Sequence, residues 1–107
     1  MSITNATLAL NNSAVAPAIY TSTGNTAITT AYLCNRTATP VTVNVFVATS
    51  GTFASQATNM IYSNLIVAGN DTYVMEAERL LLNNGDFIAA NGSVNNSVVA
   101  TVSYTGI

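Results

Sequence analysis

From Val41 to Val47 a valine occupies every second position, with Thr42, Asn44, Phe46 and Ala48 in the alternate set. β-Branched side chains lose χ1 freedom in a helix but pack well on a pleated surface, and a period of two has no comparable helical reading. This run is therefore a strand, and the chain around it must supply partners. Thr26 to Asn35 alternates in the same way, predicting Ile28, Thr30, Tyr32 and Cys34 on one face and Ala27, Thr29, Ala31 and Leu33 on the other. The two runs are expected to form an antiparallel hairpin through a loop from Asn35 to Pro40.

The remaining segments repeat the pattern. Met60 to Val67 reads as a strand with Ile61, Leu65 and Val67 on one side, and Thr72 to Ala77 as another extended run. Phe87 to Ala90 and Val98 to Thr105 follow, with Val98, Ala100, Val102 and Tyr104 sharing a face. Glu76 to Leu82 has helix-forming residues but is too short for an isolated helix, so a bulged strand and a single helical turn both remain open. The strong turn signal Asn84-Gly85 predicts that its two arms fold back on each other, with Leu80, Leu82, Phe87 and Ile88 feeding the core. Pro17 bars the segment Ala14 to Tyr20 from the centre of a sheet. Ser50 to Asn59 and Asn91 to Asn96 read as exposed loops. Ile3 to Leu10 is a first strand or an extended arm. Short strands separated by Gly and Asn turns predict an all-β protein, a single antiparallel β-sandwich of Ig-like or jelly-roll-like type, with about seven to eight strands. Residues 1–17 would be the strand or arm and residues 18–107 the sandwich.

Function is constrained mainly by what the chain lacks. Only 6% of its 107 residues are charged, against about 25% in typical domains, and there is no His and no Lys. The usual proton shuttle near neutral pH is missing. With Arg36 and Arg79 as the only cations, a phosphate-binding surface cannot form, so no nucleic-acid partner is expected. No apolar run approaches the ~18–20 residues of a membrane span, and Met1 to Asn5 does not resemble a signal peptide. The single cysteine, Cys34, is expected to be a buried small hydrophobe.

The acids Asp71, Glu76, Glu78 and Asp86 are the one candidate for chemistry, as a carboxylate pair or a Ca²⁺ site. On a strand, Glu76 and Glu78 would share a face about 7 Å apart. No Trp platform accompanies them, and Asp71 and Asp86 stand where turns favour Asp. They read as a solvated rim, with Arg79 in a local ion pair to Glu76, Glu78 or Asp86. No catalytic residue, metal or cofactor is expected. The Asn-x-Ser/Thr triplets at Asn5, Asn11, Asn35, Asn70, Asn91 and Asn95 follow from composition. A near-neutral surface of Thr, Asn and Ala is easily desolvated and suits packing against protein. Ile3, Leu8, Leu10, Tyr20, Arg36 and Arg79 are the candidate interface residues.

The run Gly24 to Asn35, the strand Val41 to Val47, Asn70 to Val74, the corner Leu80 to Asp86 and the closing Val99 to Tyr104 resemble small virion structural proteins of tailed bacteriophages, notably marine cyanobacterial phages. The resemblance covers about Ala18 to Ile107 and is weakest in the first seventeen residues. It implies a β-sandwich that assembles into a particle. On that basis the chain is expected to be a non-enzymatic virion subunit, a capsid decoration or cement protein made in the host cytoplasm. Its expected partners are the major capsid protein or another virion protein, and further copies of itself in a homo-oligomer. A tail, neck or fibre component, or a receptor- or glycan-binding module using the Ser50–Asn59 and Asn91–Asn96 loops, is the alternative.

Overall fold

A computed structural model describes residues 3–12, 16–49 and 60–107, with the side chains of residues 3 and 76–79 outside the described set. Eight strands follow in order: β1 (Ile3–Ala9), β2 (Ala18–Thr21), β3 (Thr26–Asn35), β4 (Val41–Ala48), β5 (Met60–Val67), β6 (Thr72–Leu82), β7 (Phe87–Gly92) and β8 (Val98–Gly106). They form two antiparallel four-stranded sheets. Sheet I has the order β1-β8-β3-β6 and sheet II the order β2-β7-β4-β5.

This order has a simple origin. Folded in half at the β4–β5 connection, the chain pairs β4 with β5, β3 with β6, β2 with β7 and β1 with β8. That ladder is then rolled, so that β8 also pairs with β3 and β7 with β4. The result is a jelly roll. The sandwich is all-β as the alternation predicts, and the strand order selects the jelly roll over the Ig-like arrangement.

Rolling the ladder overturns both predicted hairpins. β3 and β4 lie in different sheets, as do β6 and β7. A turn signal reports that the chain reverses, not that its two arms pair. Every connection except β4–β5 passes from one sheet to the other. At one end, the β2–β3 and β6–β7 corners hold each other. Ser22 N–H donates to Asp86 C=O at 2.8 Å, Gly85 N–H to Ser22 C=O at 2.9 Å, and Gly24 N–H to Asn84 Oδ1 at 2.9 Å. Gly24 and Gly85, at φ 73° and 88°, take the left-handed conformations that these corners need.

The opposite end is organised by Asn35, which is 1% exposed. Its amide nitrogen donates to Thr39 C=O at 2.8 Å and Val67 C=O at 3.1 Å, and its Oδ1 accepts from Thr37 N–H and Thr37 Oγ1. One buried side chain thereby uses both donors and both lone pairs. It binds the β3–β4 corner to the end of β5. The β5–β6 corner closes over it, with Asn70 N–H donating to Thr37 C=O at 2.8 Å. A Cβ on Gly69 would lie 2.2 Å from the Ala38 carbonyl oxygen, so only glycine allows this approach.

The main core fills the space between the sheets. Leu33, Val102 and Ala100 from sheet I meet Val43, Val45, Ile88 and Ala90 from sheet II. Leu82 and Ile88 are buried there, as expected for both arms of the Asn84-Gly85 corner. A smaller cluster of Phe46, Ala89 and Ala16, flanked by Met60 and Phe87, includes the alternate side chains of β4 and β7.

Three strands change phase partway along. In β3 the pairing with β8 steps from Ile28↔Tyr104 to Thr30↔Ser103, which adds a residue at Thr29. Such a bulge moves all later side chains to the other face. Ala31 and Leu33 are consequently buried, while Tyr32 and Cys34 are exposed. The expectation of a buried Cys34 fails for this reason. In β5, Asn64 adopts a positive φ of 52° at a second bulge, so Tyr62, Leu65 and Val67 face inward and Ile61 faces out. In β6, residues 77–79 lie opposite Thr29 alone, which makes Glu76 to Leu82 a bulged strand with no helical turn.

Two side chains should dominate stability. Leu82→Ala is expected to cost about 2–5 kcal/mol. Asn35→Leu is expected to cost about 2–4 kcal/mol, because it leaves Val67 C=O and Thr37 N–H without partners in the interior. Urea unfolding of each variant measures this, and a loss below about 1 kcal/mol for Asn35→Leu would remove the amide from its organising position.

Candidate interaction surface

The two described acids, Asp71 and Asp86, do not converge. Asp71 and Asp86 flank opposite ends of β6, whose eleven residues span roughly 35 Å. Each serves its own corner: Asp71 Oδ1 accepts from Thr72 N–H at 2.8 Å, and Asp86 Oδ2 accepts from Asn83 N–H at 3.1 Å. Among the described residues there is no cluster of three or more His, Cys, Asp or Glu that could hold a metal ion. The backbone of residues 76–79 forms the β6 bulge. The ion pair expected for Arg79, and the facing of Glu76 and Glu78, lie outside the described side chains.

The predicted interface residues scatter. Leu10 is 0% exposed and belongs to the chain's own core, because β1 leads it under the sheet and its N–H bonds to Val98 C=O at 2.8 Å. It offers nothing to a partner, and its place among interface candidates is corrected. Leu8 is partly buried against the same core. Tyr20, expected as an anchor for a neighbour, instead stacks on Tyr104, with ring centroids 3.8 Å apart and planes at 21°. Arg36 is exposed at the Asn35 end, where its guanidinium donates to Asn96 C=O at 2.9 Å and ties two loops together. Ile3 heads β1, with its side chain outside the described set. The Ser50–Asn59 loop, apart from its boundary, also lies outside the described residues.

The structure instead gathers a surface that the alternation alone did not reveal. Register places side chains in rows across the outer face of sheet I. Thr7, Thr101, Tyr32 and Val74 form one row, Ala9, Val99, Cys34 and Thr72 the next, and Asn5, Ser103 and Thr30 a third, which the register continues to Glu76 on the edge strand β6. Ala27 and Leu81 are paired further along. The described side chains of these rows carry no charge, and the acid Glu76 ends the third row at the sheet edge. Tyr32 is 41% exposed, Val74 49% and Leu81 63%. The described ionisable carboxylates and guanidinium, on Arg36, Asp71 and Asp86, stand in corners off this face. Tyr32 is the one tyrosine classed as exposed, and the bulge at Thr29 put it there. Sheet II differs, since its alternate side chains Phe46 and Ala89 are already packed against Ala16.

The face is chemically simple. Its hydroxyls and amides can hydrogen-bond, and Ser103 Oγ donates to Asn5 Oδ1 at 2.7 Å. The row of Thr7, Thr101, Tyr32 and Val74 can be desolvated without stranding a charge. Compared with protein-family profiles, with curated proteins and with solved structures, the chain matches none.

One pair of tyrosines gives the fold an alkaline limit. Tyr62 and Tyr73 meet edge to face, with centroids 6.1 Å apart. Burial, followed by the charge and the hydrogen bond of Tyr73, pushes the Tyr62 phenol above the ordinary tyrosine range. The unfolded chain therefore releases this proton first. Stability is full below pH ~10 and falls as pH rises through the folded-state value. Tyr62→Phe should flatten that fall in a pH series of urea midpoints; an unchanged slope would assign the limit to other groups. Cys34 reports on the face directly. The isolated protein should be labelled by a maleimide in native buffer as fully as in urea, whereas labelling only after unfolding would mean that the face is covered.

Proposed function

We propose that this chain is a non-enzymatic structural subunit of a bacteriophage particle, a capsid decoration or cement protein. It docks in many copies through the outer face of sheet I. The observation that carries this reading is the broad, partly apolar face centred on Tyr32 and Val74, whose described side chains are uncharged. Four strands spaced about 4.8 Å apart and running about 25 Å give a footprint of roughly 500 Å² before side-chain relief is counted. That approaches the ~600 Å² per partner found at the low end of stable interfaces. Binding by each copy is then modest, and repetition over a shell multiplies the contact area.

Two further points support the reading. The jelly roll recurs in viral capsid proteins, an analogy of fold and not of site, since lectins and cupins share it. The segments of resemblance to phage virion proteins include β3 and most of β4 and β8, which contribute to the core and the face. A proteinaceous partner, the major capsid protein or another virion protein, suits the face, and its lack of cations disfavours nucleic acid. Residence in the virion follows from that partner. A tail, neck or fibre position would use the same face against a different neighbour.

Tyr32 and Val74 are paired across β3 and β6 at the centre of the surface. Replacing both with Glu should leave the melting temperature of the free subunit nearly unchanged and lower its occupancy on particles at least about tenfold, because two carboxylates would be desolvated in the contact. Particles lacking the subunit should also release their genome at lower temperature. Normal occupancy of the double variant would contradict docking through this face.

A further inference from the structure

Edge strands expose unpaired N–H and C=O groups, and proteins blunt them by shortness, bulges, charge or proline. Three of the four edges here carry such devices. β2 has four residues and a register shift. β5 is interrupted twice, once at Asn64. β6 is broken by the bulge at residues 77–79, within the sequence Glu76-Ala77-Glu78-Arg79. β1 has none of them. All seven of its residues pair with β8 in unbroken register, and it contains no charge, proline or glycine.

The direction of its free groups follows from one bond. Leu10 N–H donates to Val98 C=O, next in register after Ala9↔Val99. Alternation along an antiparallel ladder then directs the backbone groups of Thr4, Ala6 and Leu8 to β8, and those of Ile3, Asn5, Thr7 and Ala9 to the open edge.

We propose that this edge pairs with the same edge of a second copy, β1 against β1 across a two-fold axis. The register that uses all four outward residues sets Ile3 opposite Ala9 and Asn5 opposite Thr7, each pair occurring twice, with Ala6 facing its own copy on the axis. About eight backbone hydrogen bonds would form. Ala6 sits at a non-hydrogen-bonded position, where strands approach most closely, and its small side chain leaves room for its own copy there. Odd residues meet odd residues, so inward and outward faces are preserved across the junction. No like charges meet, because the strand has none. The two four-stranded sheets become one continuous sheet, and their outer faces join into a surface twice as wide. The pairing uses the edge of sheet I and not its face, so it stands or falls separately from docking on a particle.

The test uses the isolated full chain in sedimentation velocity over a concentration series. A reversible dimer is expected. Thr7→Pro removes an outward N–H and leaves the ladder to β8 intact, so it should weaken the dimer at least about tenfold, since two symmetry-related bonds are lost. Ala6→Cys in a Cys34→Ser background should cross-link into a covalent dimer under mild oxidant, and Asn5→Cys in the same background should not, because its opposite residue is Thr7. The cross-linking pair decides the matter even if Thr7→Pro disturbs folding. A monomer at every soluble concentration, a dimer indifferent to Thr7→Pro, or equal cross-linking at the two cysteine positions would overturn the proposal.

Discussion

Rolling a ladder of paired strands into two stacked sheets obliges the chain to cross about 10 Å between them at nearly every connection. Each crossing removes backbone groups from the ladder, and a buried polar group without a partner costs about 1–3 kcal/mol. The fold depends on how these corners are satisfied. At one end they satisfy each other, through Ser22, Gly85 and Asp86. At the other, the Asn35 amide takes four hydrogen bonds from the interior. With only six charged residues, the chain must do this with neutral amides and hydroxyls. Its richness in Asn, Ser and Thr is thus a structural requirement of the jelly roll as well as a property of its surface.

The same corners and bulges determine where the surface lies. The added residue at Thr29 turns Tyr32 and Cys34 outward and keeps Leu33 in the core. Asp71 and Asp86 are drawn into corners and away from the faces. Glu76 to Arg79, which in sequence looks like the place for chemistry, occupies a bulge on the edge strand β6. In that position it interrupts the edge and limits pairing with other strands. The molecule is left with one broad face whose described side chains are uncharged and one regular edge, both on sheet I.

Much of this was legible in the sequence. The valines of β4 and the alternating run of β8 announce strands, and eight strands fall where the Gly and Asn turns divide the chain. Leu82 and Ile88 were identified as core residues from their place beside Asn84-Gly85. Partner choice was not legible, because a turn does not encode which sheet receives the next strand; the β3–β4 and β6–β7 hairpins were expected on local grounds and do not exist. Facing was legible only up to the first bulge. Nothing in Thr29-Thr30 marks an inserted residue, whereas Ser63-Asn64 within an apolar strand is a usable signal, since Asn tolerates positive φ. Asn35 reads as the start of a loop, and only the paired corners show it as a buried latch. The contact face escaped notice because its members come from four strands distant in sequence.

A sparsely charged jelly roll with Asp71 and Asp86 in its corners and one sheet face uncovered is suited to being held against a neighbour. The proposal of a virion subunit makes that neighbour the shell of a particle. The most direct measurement is a density map of the assembled phage particle at side-chain resolution. The account predicts this chain on the capsid exterior in many symmetry-related copies, with Tyr32, Val74 and Leu81 buried against capsid protein and the Asn35 corner away from the contact. A subunit seated with the outer face of sheet I in solvent, or a particle that lacks the chain altogether, would contradict it.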